Sequence, residues 1–403
     1  MNDLEVLRGA ALKFLMANAE RRQQALTSGW GVGSDAIGLL DTHPCRELET
    51  AALERSRAWR RLVFESGFGW LSGPTHLGGG GHSADFDEAY RVLEREFNVP
   101  DQQPFATGTH LVAPSVLAFG SDDLQRRYLP GIFRGDLIAC QLLSEPDAGS
   151  DLAGLSTRAV RDGDDWVITG QKVWSSQAHV SDIGQLLART DPAAGKHAGI
   201  TMFVVDMNTP GVTVRPLRQM TGETHFNEVF LDEARVPDVN RVGELGAGWR
   251  AVMSTLMAER SAVGSGANNS AVDPVARLID LAAHHGRRHD LVVRQSLARV
   301  YTNAQLRRYL MLRHETALAA GRLPGPEGSI LKLLFAQQGS ECGEIAGDLL
   351  GPELAGDSGA WGTFAWNRWV TGSPMMHIAG GTDEIQRNVL AERVLGLPRE
   401  PLS

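Results

Sequence analysis

The chain has 403 residues, 42% of them apolar and 22% charged, so large cores can be buried and disorder is not expected. At this length two or three packed units are expected. The net charge of −9 and the absence of any Lys/Arg block argue against a nucleic-acid partner. The three cysteines, Cys45, Cys140 and Cys342, are far apart and odd in number, which gives neither a metal spacing nor a disulfide framework. The opening MNDLEVLRGA has no apolar signal core. No apolar run of about 18 residues occurs, so no membrane span is expected and the cytoplasm is the expected compartment.

Three textures follow one another. Residues 1–135 predict a helical domain. Leu4, Leu7, Leu12 and Leu15 recur at helical spacing, and 51–66 is amphipathic. Gly78 to Gly81 predict a loop, followed by a helix over 85–97. Residues 136–245 predict a β-domain. Two β-type runs flank Asp162-Gly163-Asp164, a hairpin signal, and 199–207, 212–217 and 226–237 repeat the strand-turn-strand texture. Frequent turns and alternation argue for a sandwich or barrel rather than a parallel sheet. Residues 246–403 are helical again, with helices predicted over 249–263, 292–316, 329–350 and 382–395. Their length and spacing suggest an up-down bundle. Residues 321–328 predict an inter-helix loop.

Two segments carry chemistry-bearing residues. CQLLSEPDAGSDLAGL, residues 140–155, is a tight turn of small polar residues beside acids. GQKVWSSQA, residues 170–178, places Trp174 before Ser175 and Ser176. Taken singly, the first reads as a surface turn and the second as strand packing. A third segment, IAGGTDEIQRNVLAERVLGLPRE at 378–400, has Gly380-Gly381 before Thr382 at a helix start. Such a pair can bring backbone N–H groups close to a phosphate, or Thr382 can serve as a simple N-cap.

In this order the first two segments resemble the acyl-CoA dehydrogenase family, whose pattern is (T/S)-E-P-x-A-G-S-D followed by G-x-K-x-W-(I/S)-(T/S). The third resembles that family's C-terminal signature, and 128–136, 199–207 and 226–237 also read as family segments. The resemblance implies a mixed, mostly α fold: an N-terminal helical domain, a β-domain and a C-terminal four-helix bundle. It implies FAD as cofactor, since a flavin ring needs an apolar wall and hydrogen bonds along its polar edge. It assigns Gln141, Leu142, Leu143 and Ser144 to the isoalloxazine. Trp174 would lie against the ring, with Ser175 and Ser176 beside it and Ser176 near N5. Thr382 and Glu384 would meet the dinucleotide. Ser150, Gly380 and Gly381 would meet the acyl-CoA substrate.

The implied reaction removes a proton from Cα of an acyl thioester while hydride leaves Cβ for flavin N5. Many family members carry the base, a Glu, immediately before the Gly-Thr of the C-terminal signature; here that position is Gly380. A second known arrangement places the Glu on a bundle helix directly before an Arg, which matches Glu259 and Arg260. Val252, Leu256, Glu259 and Val263 share one helical face, so the carboxylate would sit on an apolar stripe, as an aimed, desolvated base requires. Arg260 matches a family position near the substrate.

Two family cofactor segments are altered. R-x-x-F-G is replaced by HHGRRHDLVVRQSLA at 284–298, which leaves Arg287 as the candidate contact. Q-x-x-G-G-x-G is replaced by GDLLGPELAG at 347–356. Such changes resemble family members that share FAD sites between unlike chains. The expected assembly is therefore a homodimer, a tetramer or a heterotetramer, and the expected electron acceptor is an electron-transfer flavoprotein. The expected role is lipid metabolism of the fatty acid β-oxidation type. Other readings on the same fold are an acyl thioester oxidase, a flavin N-hydroxylase and a non-catalytic partner subunit. GWGVGSD at 29–35 has no preceding strand and reads as a loop, not a phosphate cradle. No histidine spacing suggests a metal.

Overall fold

A computed structural model describes residues 3–22, 46–265, 273–319, 325–326 and 328–399. Its described residues fall into two compact units, divided within one helix after Leu256. Residues 220–223 belong with the second unit.

The first unit opens with α1 (Asp3–Asn18), β1 (Glu20–Arg21), α2 (Arg46–Glu65), α3 (Ala84–Glu94) and β2 (Phe97–Asn98). Ala11, Leu15, Trp59, Val63, Phe86 and Tyr90 join in one core, which is where the predicted helical periodicities point. Gly78 and Gly81 adopt positive φ in the expected loop. Next come α4 (Ala113–Phe119) and α5 (Asp122–Arg134). Ser121 caps α5 by accepting from the Leu124 N–H at 3.2 Å, and Gly135, at φ 86°, ends it.

The β-strands follow: β3 (Ala139–Leu142), β4 (Arg158–Asp162), β5 (Asp165–Ser176), β6 (Ile183–Arg189), β7 (Ile200–Asp206), β8 (Val212–Pro216), β9 (Phe226–Pro237) and β10 (Arg241–Val242). They form one sheet in the order β10-β7-β6-β4-β5-β9-β8, with β3 also on β6. Pairing is antiparallel, as the turn frequency predicts, except that β3 and one residue of β4 lie parallel to β6. The Asp162-Gly163-Asp164 hairpin joins β4 to β5, with Gly163 at φ 64°.

Strand alternation explains why β6 and β7 carry apolar residues at both odd and even positions. On one face Ile183, Leu187, Ile200, Met202 and Val204 pack with Val116, Leu124, Leu129 and Ile132. On the other, Leu186, Ala188, Phe203 and Val205 pack with Trp166, Val229 and Leu231. Both faces are covered, so both sets are mainly apolar, with Gln185 and Thr201 as buried polar exceptions.

α6 (Gly248–Ser265) carries the chain out of the first unit. Val252 is buried and Leu256 packs against the same core, so the stripe predicted for this helix holds over the described side chains. The second unit contains α7 (Pro274–His284), α8 (Leu291–Ala319), α9 (Gly328–Leu350), α10 (Asn367–Gly372) and α11 (Asp383–Arg393). Its core joins Leu278, Leu281, Val300, Ala336, Cys342, Ile345 and Trp366. The sequence reading places no helix at α7 or α10. For α7 the signals were present: Asp273 accepts from the Val275 N–H at 2.9 Å and Pro274 occupies the first turn. Cys45, the 29–35 loop and most of the 321–328 loop lie outside the described residues. Among the described residues no helix is long and apolar enough to cross a membrane.

Candidate active site

In the first unit the two motif segments meet. β3 ends at Leu142, and the chain turns through Ser144 and Glu145. The backbone N–H of Val173 donates to the Ser144 carbonyl at 2.9 Å, so Ser144 lies against the Lys172-Val173-Trp174 segment of β5. There the β5–β9 register slips between Lys172 and Ser175. This irregularity re-aims a side chain, as bulges beside functional sites do. Trp174 takes φ 63° and stays 61% exposed, with an edge contact to Phe226 at 5.9 Å. A tryptophan in left-handed backbone is costly by roughly 1–2 kcal/mol, and exposing its ring forgoes the burial that would offset this. The surrounding pairing must therefore hold it there.

The anchor beneath this junction is a buried ion pair that the sequence reading did not assign. Lys172 is fully buried, and its Nζ donates to Glu145 Oε1 at 2.8 Å and to the Leu143 carbonyl at 3.0 Å. Glu145 also accepts from Ser156 N at 2.7 Å, Ser156 Oγ at 2.7 Å and Thr157 N at 2.9 Å. Burial pushes the Glu145 carboxyl up, but Lys172 and the hydrogen bonds outweigh it and hold the group at about 2. Burial brings the Lys172 ammonium down to about 8, with Glu145 opposing. At neutral pH both are charged, and each is held by partners as buried charges require. Both residues are charged members of the two motifs, alongside Asp147 and Asp151.

The other first-unit candidates are placed as follows. Leu142 is fully buried in the sheet core and Leu143 is nearly so, so any role at a ligand falls to their main-chain groups. Gln141 keeps a buried Nε2 with no partner. Ser175 turns inward, is 1% exposed and has an unpartnered Oγ; Ser176 is half-buried. Asn227 donates to the Ser175 carbonyl at 3.0 Å and to His179 Nδ1 at 3.2 Å, and His179 Nε2 reaches Glu49 at 3.0 Å. This chain supports the strand just past the Trp174 irregularity. Ser150 lies exposed on the turn after Glu145, next to the surface pair Asp151–Lys196.

The second unit holds the remaining candidates. Gly380 and Gly381 adopt φ 68° and 92°; a Cβ on Gly381 would stand 2.7 Å from Gln386 Nε2. This explains the glycine pair by backbone shape. Thr382 caps α11, its Oγ1 accepting from the Ile385 N–H at 3.3 Å. Glu384 is exposed beside Arg387. Arg287, between α7 and α8, donates to Asp290 and to the Asp348 carbonyl, which pins it within the unit. Lys332, also unassigned from sequence, is fully buried beneath the turn before α11. Glu259 and Arg260 lie on α6, but their side chains are outside the described residues. Among the described residues no group of His, Cys, Asp or Glu could hold a metal ion.

A strand-turn-bulge site with an exposed tryptophan on a mainly antiparallel sheet, followed by a helical unit, defines the class. Residues 140–234 match the acyl-CoA dehydrogenase middle domain, and residues 246–395 match the acyl-CoA dehydrogenase C-terminal domain. Acyl-CoA dehydrogenase IpdE1 of Mycobacterium tuberculosis is 39% identical over 89% of this chain and 91% of its own. The structure named Tcur3481-Tcur3483 steroid ACAD has a TM-score of 0.74 and 26% identity, covering 99% of this chain and 98% of that one. The ChsE4-ChsE5 complex from Mycobacterium tuberculosis has a TM-score of 0.73 and 28% identity, covering 99% of each chain. The chain belongs to the acyl-CoA dehydrogenase family.

Proposed function

We propose that this protein is an FAD-dependent acyl-CoA dehydrogenase that converts an acyl-CoA to its trans-2-enoyl-CoA, with Glu259 as the base. The observation that carries the cofactor half is the Val173–Ser144 hydrogen bond, which sets Ser144 beside an exposed Trp174 held at positive φ. The orphaned Gln141 Nε2 in the same segment also fits a bound group with polar edge atoms. FAD, when bound, accepts the hydride. Main-chain groups of Gln141 to Ser144, the Trp174 ring and Ser176 would hold its ring system, with the inward-turned Ser175 reaching it by its main chain. The family resemblance assigns Thr382, Glu384 and Arg287 to its dinucleotide part. The same resemblance assigns Ser150, Arg260 and the Gly380-Gly381 pair to the substrate.

Glu259 takes the Cα proton. The position where many relatives carry a Glu is Gly380, which offers no base. The apolar burial of Val252 and Leu256 on the same stripe supports a desolvated setting for it. A glycine where many relatives carry a Glu would leave room at the acyl end. Together with a structural relative named a steroid ACAD, this favours a bulky acyl group such as a steroid side chain. A relative crystallised as a complex of two unlike chains favours a hetero-oligomer, with an electron-transfer flavoprotein as acceptor.

The test is anaerobic titration of the FAD-loaded protein with a panel of acyl-CoAs. The wild type should bleach with a bulky acyl-CoA, and Glu259→Gln should bind FAD yet bleach at least about a hundredfold more slowly. Bleaching of the variant at the wild-type rate refutes the base. A protein that takes up no FAD refutes the whole reading in favour of a non-catalytic subunit.

A further inference from the structure

The turn from His377 to Asp383 is clamped from beneath at both ends. The fully buried Lys332 of α9 donates to the His377 carbonyl at 3.2 Å and to Asp383 Oδ1 at 2.9 Å. The His377 ring closes the circuit: its Nδ1 meets Asp383 Oδ2 at 2.7 Å and its Nε2 meets Ser340 Oγ at 2.8 Å. Gln386, also fully buried, donates to the Gly380 carbonyl at 2.7 Å and the Gly381 carbonyl at 3.3 Å. Between these anchors run Gly380, Gly381 and Thr382, two of them glycines at positive φ. Glycine loses the most conformational freedom on ordering, so this segment has little intrinsic reason to hold one shape. The shape comes from the clamp.

We infer that Lys332 is a positioning residue whose ammonium fixes the Gly380-Gly381-Thr382 turn in the geometry that receives the FAD dinucleotide. This rests on the assignment of Thr382 to the cofactor. A buried lysine that only stabilised the fold could be tied to any two acceptors. This one joins the residue that begins the turn to the residue that ends it. Misplacement of about 1 Å can weaken a binding or reacting geometry by two orders of magnitude, and a glycine pair released at one end has ample freedom to drift that far.

The experiment compares wild type with Lys332→Met, Asp383→Asn, Ser340→Ala and Thr382→Ala in the full-length protein. It measures FAD affinity by fluorescence quenching on stripped protein, backbone hydrogen exchange over 377–386, and the thermal unfolding midpoint. Lys332→Met should raise exchange across the turn and weaken FAD binding at least about tenfold. Ser340→Ala, which touches only the far nitrogen of His377, should leave FAD affinity within about twofold. Asp383→Asn keeps an acceptor for Lys332 but lowers its charge, and should fall between. It also keeps the inference testable should Lys332→Met not fold. A lowered unfolding midpoint with unchanged FAD affinity would mark a structural role and overturn the proposal. So would unchanged exchange over the turn. If Lys332→Met loosens the turn and keeps FAD while Thr382→Ala loses it, positioning is refuted and the Thr382 assignment stands. If Thr382→Ala itself keeps full affinity, that assignment falls, and the inference with it.

Discussion

Replacing Lys172 by methionine keeps most of the side chain's length and removes its ammonium. Glu145 would then be a carboxylate only a few per cent exposed, held by the two Ser156 donors and the Thr157 N–H but facing no cation. Breaking one partner from a buried pair costs about 3–5 kcal/mol, and the Leu143 carbonyl also loses its donor, which adds about 1–3 kcal/mol if no water replaces it. The three remaining hydrogen bonds to Glu145 favour the lower part of that combined range, so a loss of about 4 kcal/mol is expected. Urea unfolding of the wild type and variant at pH 7 measures it. The double variant Lys172→Met/Glu145→Gln supplies the control. The glutamine keeps an oxygen for the two Ser156 donors while removing the stranded charge, and its amide nitrogen takes the place of the oxygen that met Thr157 N–H, so it should recover part of the loss. A single variant within about 1 kcal/mol of wild type, or a double variant no better than the single, refutes the view that this pair anchors the Ser144–Trp174 junction.

Trp174→Gly removes an exposed ring and relieves a positive φ. Stability without cofactor should stay within about 1 kcal/mol of wild type, because roughly 1–2 kcal/mol of backbone relief offsets the edge contact with Phe226. FAD affinity should fall at least about tenfold; unchanged quenching titrations would remove Trp174 from the site. Burial, with a smaller push from His179, lowers the His225 imidazole to about 4. The folded form therefore binds a proton less readily than the unfolded chain, so stability is complete above about 6.5 and declines as pH falls from there to 4. His225→Phe should flatten that decline by at most about 3 kcal/mol, and an unchanged unfolding-against-pH curve would refute it. Lys196→Ala breaks an ion pair exposed on both sides and should change stability by under about 0.5 kcal/mol; a larger loss in urea unfolding would give that pair a structural role.

Much of this protein follows from local pattern. The helical, β and helical textures are properties of spacing, and the elements α1, α2, α6, α8, α9 and α11 appear where apolar periodicity puts them. The hairpin at Gly163 needs only its turn residues. The motif segments around Ser144 and Trp174 are legible through their resemblance to the acyl-CoA dehydrogenase patterns; taken singly they read as a surface turn and as strand packing. What spacing leaves open is which residues meet across distance. The Glu145–Lys172 pair joins residues 27 apart, and the Lys332–Asp383 pair joins residues 51 apart. Spacing alone pairs neither of them. Only burial makes them decisive, since a charge removed from water must find a partner and fixes whatever carries that partner. The same holds for direction. Sequence places Trp174, Ser175 and Ser176 side by side, but the slipped β5–β9 register turns Trp174 outward and Ser175 inward. The pairing of a strand with its neighbour, which no single segment encodes, decides which of the three faces a ligand.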